Sequence, residues 1–382
     1  MALYIGHESA LEFWRGTSNT PRAFVRTDAT PRAADGCPDA AHIDAFLARH
    51  NAMTRPLHLL VSNPSHRTRA ARCHVCRRAD LARSFFKLEC GNFVASPELC
   101  FLQLAGSLDP VELALVGFEL CGTYRIRTAS HGSDAHPPQP AAALSASVEA
   151  RAKPTRDAMR AGCATRRPRL EEGPDAADMA PRASRPLGQA AYRAHPSDTE
   201  AVFGLPRLTG TKRLEAFLER ASGAYARQRA LKALRLVEDG SASPMESILA
   251  ILLCAPRMIG GYGIEKPLMN ARIDIDGRFA DPTDASHLRC DFLWPRHGLC
   301  LEYDSDAFHT GPERIAKDSA RRNALAHLGL TVVTVTTRQI YRENEMDRIA
   351  RTILHHVGSC LRQRTYDYQA RKSRLRHMLL ER

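Results

Sequence analysis

Between residues 126 and 205 the chain almost runs out of large apolar side chains, and that gap limits what the rest can become. The stretch "ASHGSDAHPPQPAAALSASVEARAKP" is typical of it, dominated by Ala, Pro, Arg, Asp and Ser. A segment so composed cannot bury enough surface to offset the entropy of ordering it. It reads as a disordered linker, either grazing a nucleic-acid backbone or acting as a solvated tether. The segments on either side have ordinary apolar content. The expected organisation is therefore an N-terminal domain at 1–125, the linker at 126–205 and a C-terminal domain at 206–382. At 382 residues the chain is long enough for two or three separate cores.

The formal net charge of +12 points to a polyanionic partner, most simply DNA. Aromatic residues make up only 6%, which argues against a surface built of base-stacking platforms. The eleven cysteines are scattered and odd in number, unlike the dense pattern of a small secreted scaffold. The opening "MALYIGHESALEFWRG" lacks a basic region followed by an apolar one, so no signal peptide is expected. The longest apolar run, "ILAILLCA" at 248–255, is too short to span a bilayer. No membrane partner is expected, and a reducing cytoplasm is the default location.

Local signals place several elements. "PLHLLVSN" at 56–63 reads as a buried strand. Ser96 before Pro97 and Glu98, and Asp109 before Pro110 and Glu112, mark two helix starts, each a capping residue ahead of a first-turn proline. The N-terminal domain is thus mixed α/β, of unknown role, and a candidate for recruiting a protein partner. Past the linker, residues 208–240 read as a helical pair ending at Gly240, and Ser243, Pro244 and Glu246 as a third start of the capping-box kind. Then follow "NARIDIDGR", "LRCDFLW" and "GLCLEYD" as strands, "GPERIAKDSARRNALAHLG" as a helix, and "LTVVTVTT" as a fully apolar strand. The order is helix, three strands, helix, strand, with a basic helix to close.

The chemistry concentrates in "CDFLWPRHGLCLEYDSDAFHTG" at 290–311, where acids stand in positions that packing would give to hydrophobes. Side chains alternate along a strand, so Cys300, Glu302 and Asp304 share one face. If the turn is "PRHG" with Trp294 paired to Leu299, Asp291 falls directly opposite Glu302. Like charges in that position repel, and burial would raise the pKa of at least one. A hard divalent cation is the simplest compensator, since it takes oxygen ligands and keeps waters. The alternatives are a solvated acidic face or pairing with nearby arginines. On the following helix Asp318 precedes Arg321 and Arg322 by three and four residues, the spacing of a same-face ion pair that would set an arginine on phosphate or simply decorate a solvated helix.

The set formed by Glu246 on a leading helix, Asp291 ending one strand and Glu302 on the next resembles the PD-(D/E)XK nuclease superfamily. Over about residues 240–345 it is similar to the branch related to very-short-patch-repair endonucleases. The resemblance implies a restriction-endonuclease-like α/β fold for the C-terminal domain and hydrolysis of DNA phosphodiesters with Mg²⁺ or Mn²⁺. It also implies metal ligation by Asp291 and Glu302, with the Tyr303 carbonyl as a third ligand, and Glu246 orienting a metal-bound water. Where the superfamily has lysine, two residues after Glu302, this chain has Asp304, which offers no positive charge to a developing phosphorane. Asp304 would instead bind metal or act as a base. His309 is then the candidate for proton transfer or phosphate contact, and Arg321 and Arg322 for nucleic-acid contact.

Other motifs are less informative. "CHVC" at 73–76, with Cys90 and Cys100 beyond, invites a zinc reading but lacks a second close pair. "IGGYG" at 259–263 precedes a strand rather than a helix, which makes it a turn and not a phosphate cradle. Arg362, Arg364, Arg371 and Arg374 form a basic tail that could flank DNA or face solvent. Two rival readings remain: a non-cleaving, antitoxin-like DNA-binding regulator with a degenerate nuclease fold, and an interaction protein on a nuclease-like scaffold.

Overall fold

A computed structural model describes residues 2–31, 36–50, 52–76, 83–88, 91–128, 170–171, 182–186, 199–274, 287–305, 312–360 and 366–380. The fold is α/β. Its first sheet takes β1 (Tyr4–Ile5), β2 (Val25–Thr27), β3 (His58–Val61), β4 (Arg72–Val75), β5 (Phe85–Lys87) and β6 (Phe93–Ala95), in the order β2-β5-β6-β1-β3-β4. Helices α1 (His7–Gly16), α2 (Ala40–Arg49), α3 (Pro97–Leu104) and α4 (Pro110–Cys121) lie in the same half. Both proline-led starts behave as their sequences predict. Ser96 accepts from the Leu99 N–H, and Asp109 forms a full capping box with Glu112.

Next along the chain come β7 (Tyr124–Thr128), β8 (Leu170–Glu171), β9 (Arg182–Pro186) and β10 (Thr199–Phe203), with β10 antiparallel to both β7 and β9. Helices α5 (Thr211–Arg220), α6 (Arg227–Leu234) and α7 (Pro244–Cys254) lead into β11 (Leu268–Asp274), β12 (His287–Trp294) and β13 (Leu299–Asp304). The helical pair therefore stops at Leu234, short of Gly240. After α8 (Pro312–His327) and β14 (Thr331–Thr336) the chain closes with α9 (Thr337–Tyr341), α10 (Glu343–His356) and α11 (Tyr366–Leu380). The C-terminal sheet runs β14-β13-β12-β11-β8, antiparallel except where β13 meets β14 in parallel. Strand β14, read as a fully apolar strand, forms as one, and of its residues only Val335 is buried.

Two findings change the expected organisation. The ends of the stretch read as a linker are strands, because β7 and β10 pair from Tyr124↔Phe203 to Thr128↔Thr199. Most of the residues between them lie outside the described set. The halves are also not separate bodies: one apolar cluster runs from Leu3 to Leu380 and takes in α4, α6, α7 and the β12–β13 hairpin. Gly117 on α4 permits the close approach, since a Cβ there would sit 2.6 Å from a Val237 methyl. Polar pairs cross the same boundary, Tyr124 Oη to Ser247 Oγ at 2.9 Å and Thr209 Oγ1 donating to Glu98 at 2.6 Å. Each large apolar side chain fully buried there contributes about 1.5–3 kcal/mol, so neither half can shed the other cheaply.

Candidate active site

Helix α7 fixes the first carboxylate. Ser243 caps it by accepting from the Glu246 N–H, and Pro244 occupies the first turn, where it has no N–H to lose. Glu246 is only 7% exposed. Its Oε2 accepts from Ala242 N at 2.9 Å and Asn270 Nδ2 at 2.6 Å, and its Oε1 from Ser243 Oγ at 3.0 Å.

The partner residue Asn270 explains how the strands bring their acids here. It adopts φ of 49°, in the left-handed region that asparagine tolerates better than most residues. On β11, Met269 faces the main apolar cluster while Ala271 and Ile273 face a second one that also contains Leu325 of α8. On β12, Leu288 and Cys290 face the second cluster and Phe292 and Trp294 the main one. Regular alternation would keep each of these sets on one side. Both strands therefore change face together at the matched positions Asn270 and Asp291. The turn of backbone lets Asn270 reach Glu246 and leaves Asp291 at the crossover.

The hairpin has the expected register, with Trp294 paired to Leu299, Leu293 to Cys300 and Phe292 to Leu301. Continued by one residue, that register would set Asp291 across from Glu302. The backbone ladder stops there. The Tyr303 N–H, instead of bonding to β12 backbone, donates to Asp291 Oδ2 at 2.8 Å. Asp291 thus caps the point at which the two strands part.

Three acids from α7, β12 and β13 meet in this region, and their charges oppose one another. Burial first, and the Asp291 charge second, push Glu246 up to about 8. The same two causes raise Glu302 to about 7, against the pull of Arg321. Arg321 comes from α8, and its Nη2 donates to Glu302 Oε2 at 2.7 Å and also to the Arg289 carbonyl. Sequence spacing suggests pairing with Asp318, whose side chain lies outside the described residues. The guanidinium reaches the carboxylate site, a contact between distant segments that no local spacing reveals.

The remaining site residues divide. Asp304 ends β13, half-buried and in register with Thr336. Arg322 is exposed, as are Arg371 and Arg374. His309, Cys90, Arg362 and Arg364 lie outside the described residues. Cys73 packs against the main cluster and Cys100 is fully buried. Arg257–Ile259 and Gly260, at φ of 103°, form the turn read from "IGGYG".

As carboxylate oxygen donors, Asp291 and Glu302 are of the kind a hard divalent cation takes. Glu246 and Glu302 each already accept at both oxygens, Glu302 from Cys300 and Arg321, so either would exchange a protein donor for the ion on ligating it. A softer donor set lies beside them: the ligand atoms of Cys290, Cys300 and Glu302 are within 4.8 Å of one another. Cys300 donates to Glu302 Oε1 at 3.2 Å, and its contact with Cys290, together with burial, pushes its thiol far above the usual range.

Among the described residues no helix is long and apolar enough to cross a membrane. No family model matches the chain and no solved structure resembles it. A stretch of 69 residues is 36% identical to two uncharacterised proteins, one from each of two strains of Mycobacterium tuberculosis. The match takes in 18% of this chain and spans about a quarter, 25%, of each mycobacterial protein.

Proposed function

We propose that the C-terminal half is a metal-dependent DNA endonuclease of the PD-(D/E)XK type, related to the very-short-patch-repair branch. The observation that carries the reading is the meeting of Glu246, Asp291 and Glu302 from α7, β12 and β13, with Asp291 raising the pKa of both glutamates. The order α7, β11, β12, β13, α8, β14 supports a restriction-endonuclease-like core. Asp291 and Glu302 would hold Mg²⁺ or Mn²⁺, which supplies Lewis-acid stabilisation of phosphate oxygens and a more acidic bound water. Arg321 answers the difficulty posed by Asp304. It brings to Glu302 the positive charge that the missing lysine would have carried, in a form suited to phosphate. Glu246, fixed by three donors, stands behind Asp291 with its pKa raised to about 8, so it is mostly protonated at neutral pH.

The test is plasmid cleavage in Mg²⁺ by the wild type beside Asp291→Ala and Glu302→Ala. Cleavage by the wild type alone is expected. Equal activity in all three, or none in any, removes the assignment.

One observation favours a second reading, a DNA-binding regulator that no longer cleaves. The Arg321–Glu302 ion pair can neutralise the site without metal. Calorimetry with Mg²⁺ or Mn²⁺ separates the two, since a retired site shows no binding that depends on Glu302.

A further inference from the structure

We propose that a basic cavity between the N-terminal sheet and the loop leading into α5 binds a nucleoside phosphate, either free or at the 5′ end of a DNA strand. The cavity has a volume of about 640 Å³, inside the range of about 300–1,000 Å³ usual for small-molecule sites. Its walls come from the edge strand β2, the short turn Pro21–Ala23 before it, and the loop that follows Gly204. Four arginines line it: Arg22 in the turn, Arg26 on β2, Arg207 in the loop and Arg213 on α5.

The nearby acids do not use up this charge. Asp239 lies on the wall but is occupied in capping α5, accepting from the Thr211 N–H at 2.8 Å and from Thr211 Oγ1 at 3.2 Å. Glu98 is buried, and its Oε1 accepts from Thr209 Oγ1 at 2.6 Å. Arg26 Nη2 stands 3.6 Å from Glu98 Oε2, and Arg213 Nε 3.7 Å from Glu98 Oε1. Both separations exceed a hydrogen bond, and the buried Oε2 has no hydrogen-bond partner. Glu98 thus draws two guanidiniums together without taking an N–H from either. Among the described residues Arg22 and Arg207 have no carboxylate partner. Four arginines against two acids leave a surplus close to the charge of a phosphate monoester, about −1.5 to −2 at pH 7.

The same walls suit a base. Arg26 pairs with Phe86 across the β2–β5 ladder and places its guanidinium over that ring, 4.8 Å from the centroid. Its Nη1 donates to the Arg83 carbonyl at 3.0 Å, which fixes it there. A guanidinium so held offers its outer face for stacking, and Phe24 adds an aromatic wall beside it. Arginine forks meanwhile match phosphate oxygens two at a time. A planar group next to a phosphate is what a nucleotide presents and what a bare anion lacks. None of these residues belongs to the carboxylate site, so the cavity binds its ligand whether or not the other half cleaves DNA.

The test is calorimetric titration of the full-length protein in chelator with dAMP, with pyrophosphate, and with a short DNA strand carrying either a 5′-phosphate or a 5′-hydroxyl. One equivalent of dAMP or of the phosphorylated strand is expected to bind, more tightly than pyrophosphate. Binding of dAMP identifies a free nucleotide as the ligand, and binding of the phosphorylated strand alone identifies a strand end. Arg22→Gln and Arg207→Gln should each weaken that binding about 10- to 100-fold, the worth of one charge-assisted contact. Arg351→Gln, exposed on α10, should leave it unchanged. Neither Arg22 nor Arg207 leaves a carboxylate stranded among the described residues, and thermal unfolding confirms that both variants are folded. Failure of the wild type to bind either dAMP or the phosphorylated strand overturns the proposal. So does pyrophosphate binding as tightly as the nucleotide, a hydroxyl strand binding as tightly as the phosphorylated one, or an equal loss in Arg351→Gln.

Discussion

Replacing Asp291 with Asn is expected to stabilise the metal-free protein in mild base while abolishing its response to Mg²⁺. Glu246 and Glu302 have folded pKa values of about 8 and about 7, above the unfolded value of 4.5. A carboxyl raised in this way contributes stability that is complete below the unfolded pKa and is lost as pH rises through the folded one. Each unit of displacement corresponds to about 1.4 kcal/mol. Burial is the larger cause for both, so the part due to Asp291 is about 1–2 kcal/mol in total. Asn keeps an oxygen for the Tyr303 N–H but removes the charge. At about pH 8 the variant should gain that amount, a rise in melting temperature of about 1–3 °C for a chain of 382 residues. At about pH 5 both glutamates are protonated, and the gain should vanish. Added Mg²⁺ should stabilise the wild type and not the variant. Calorimetry at both pH values, with chelator and with Mg²⁺, makes the measurement. A gain equal at the two pH values, or a loss at the higher one, refutes the mutual repulsion of the three acids.

Other substitutions probe the supports. Arg321→Gln should cost about 1–2 kcal/mol by urea unfolding, discounted for the 40% exposure of Arg321, and should lower cleavage more than DNA binding. Asn270→Gly keeps the left-handed backbone but loses the bond to Glu246, whereas Asn270→Ala loses both, so the alanine variant should be the less stable by about 1 kcal/mol. Gly117→Ala should cost about 1–3 kcal/mol by pushing α4 away from Val237, and Gly117→Ala with Val237→Ala should recover part of that. Lys372 is 2% exposed and bonds Asp347 at 2.9 Å, so Lys372→Met should cost about 3–5 kcal/mol by leaving that carboxylate buried without its cation.

What the sequence reveals here is mostly local. Ser96, Asp109 and Ser243 announce their helices because a cap acts within one turn. The hairpin register follows from a four-residue turn between two short apolar runs. Harder to see was the change of face at Asn270 and Asp291, since it breaks the alternation on which strand reading relies. Arg321 on Glu302 and Arg26 beside Glu98 join residues far apart in the chain, and neither leaves a spacing to recognise. The pairing of β7 with β10 was hidden for a similar reason. Each strand is short and half polar, and it takes its meaning from a partner across a long stretch of unlike composition.

That pairing, with the shared core behind it, bears on how the protein is handled. A chain ending after β7 and another beginning at β10 would each present a bare apolar flank. Expressed alone, either should precipitate or bind chaperones. Produced together, they should find one another and reconstitute the native particle.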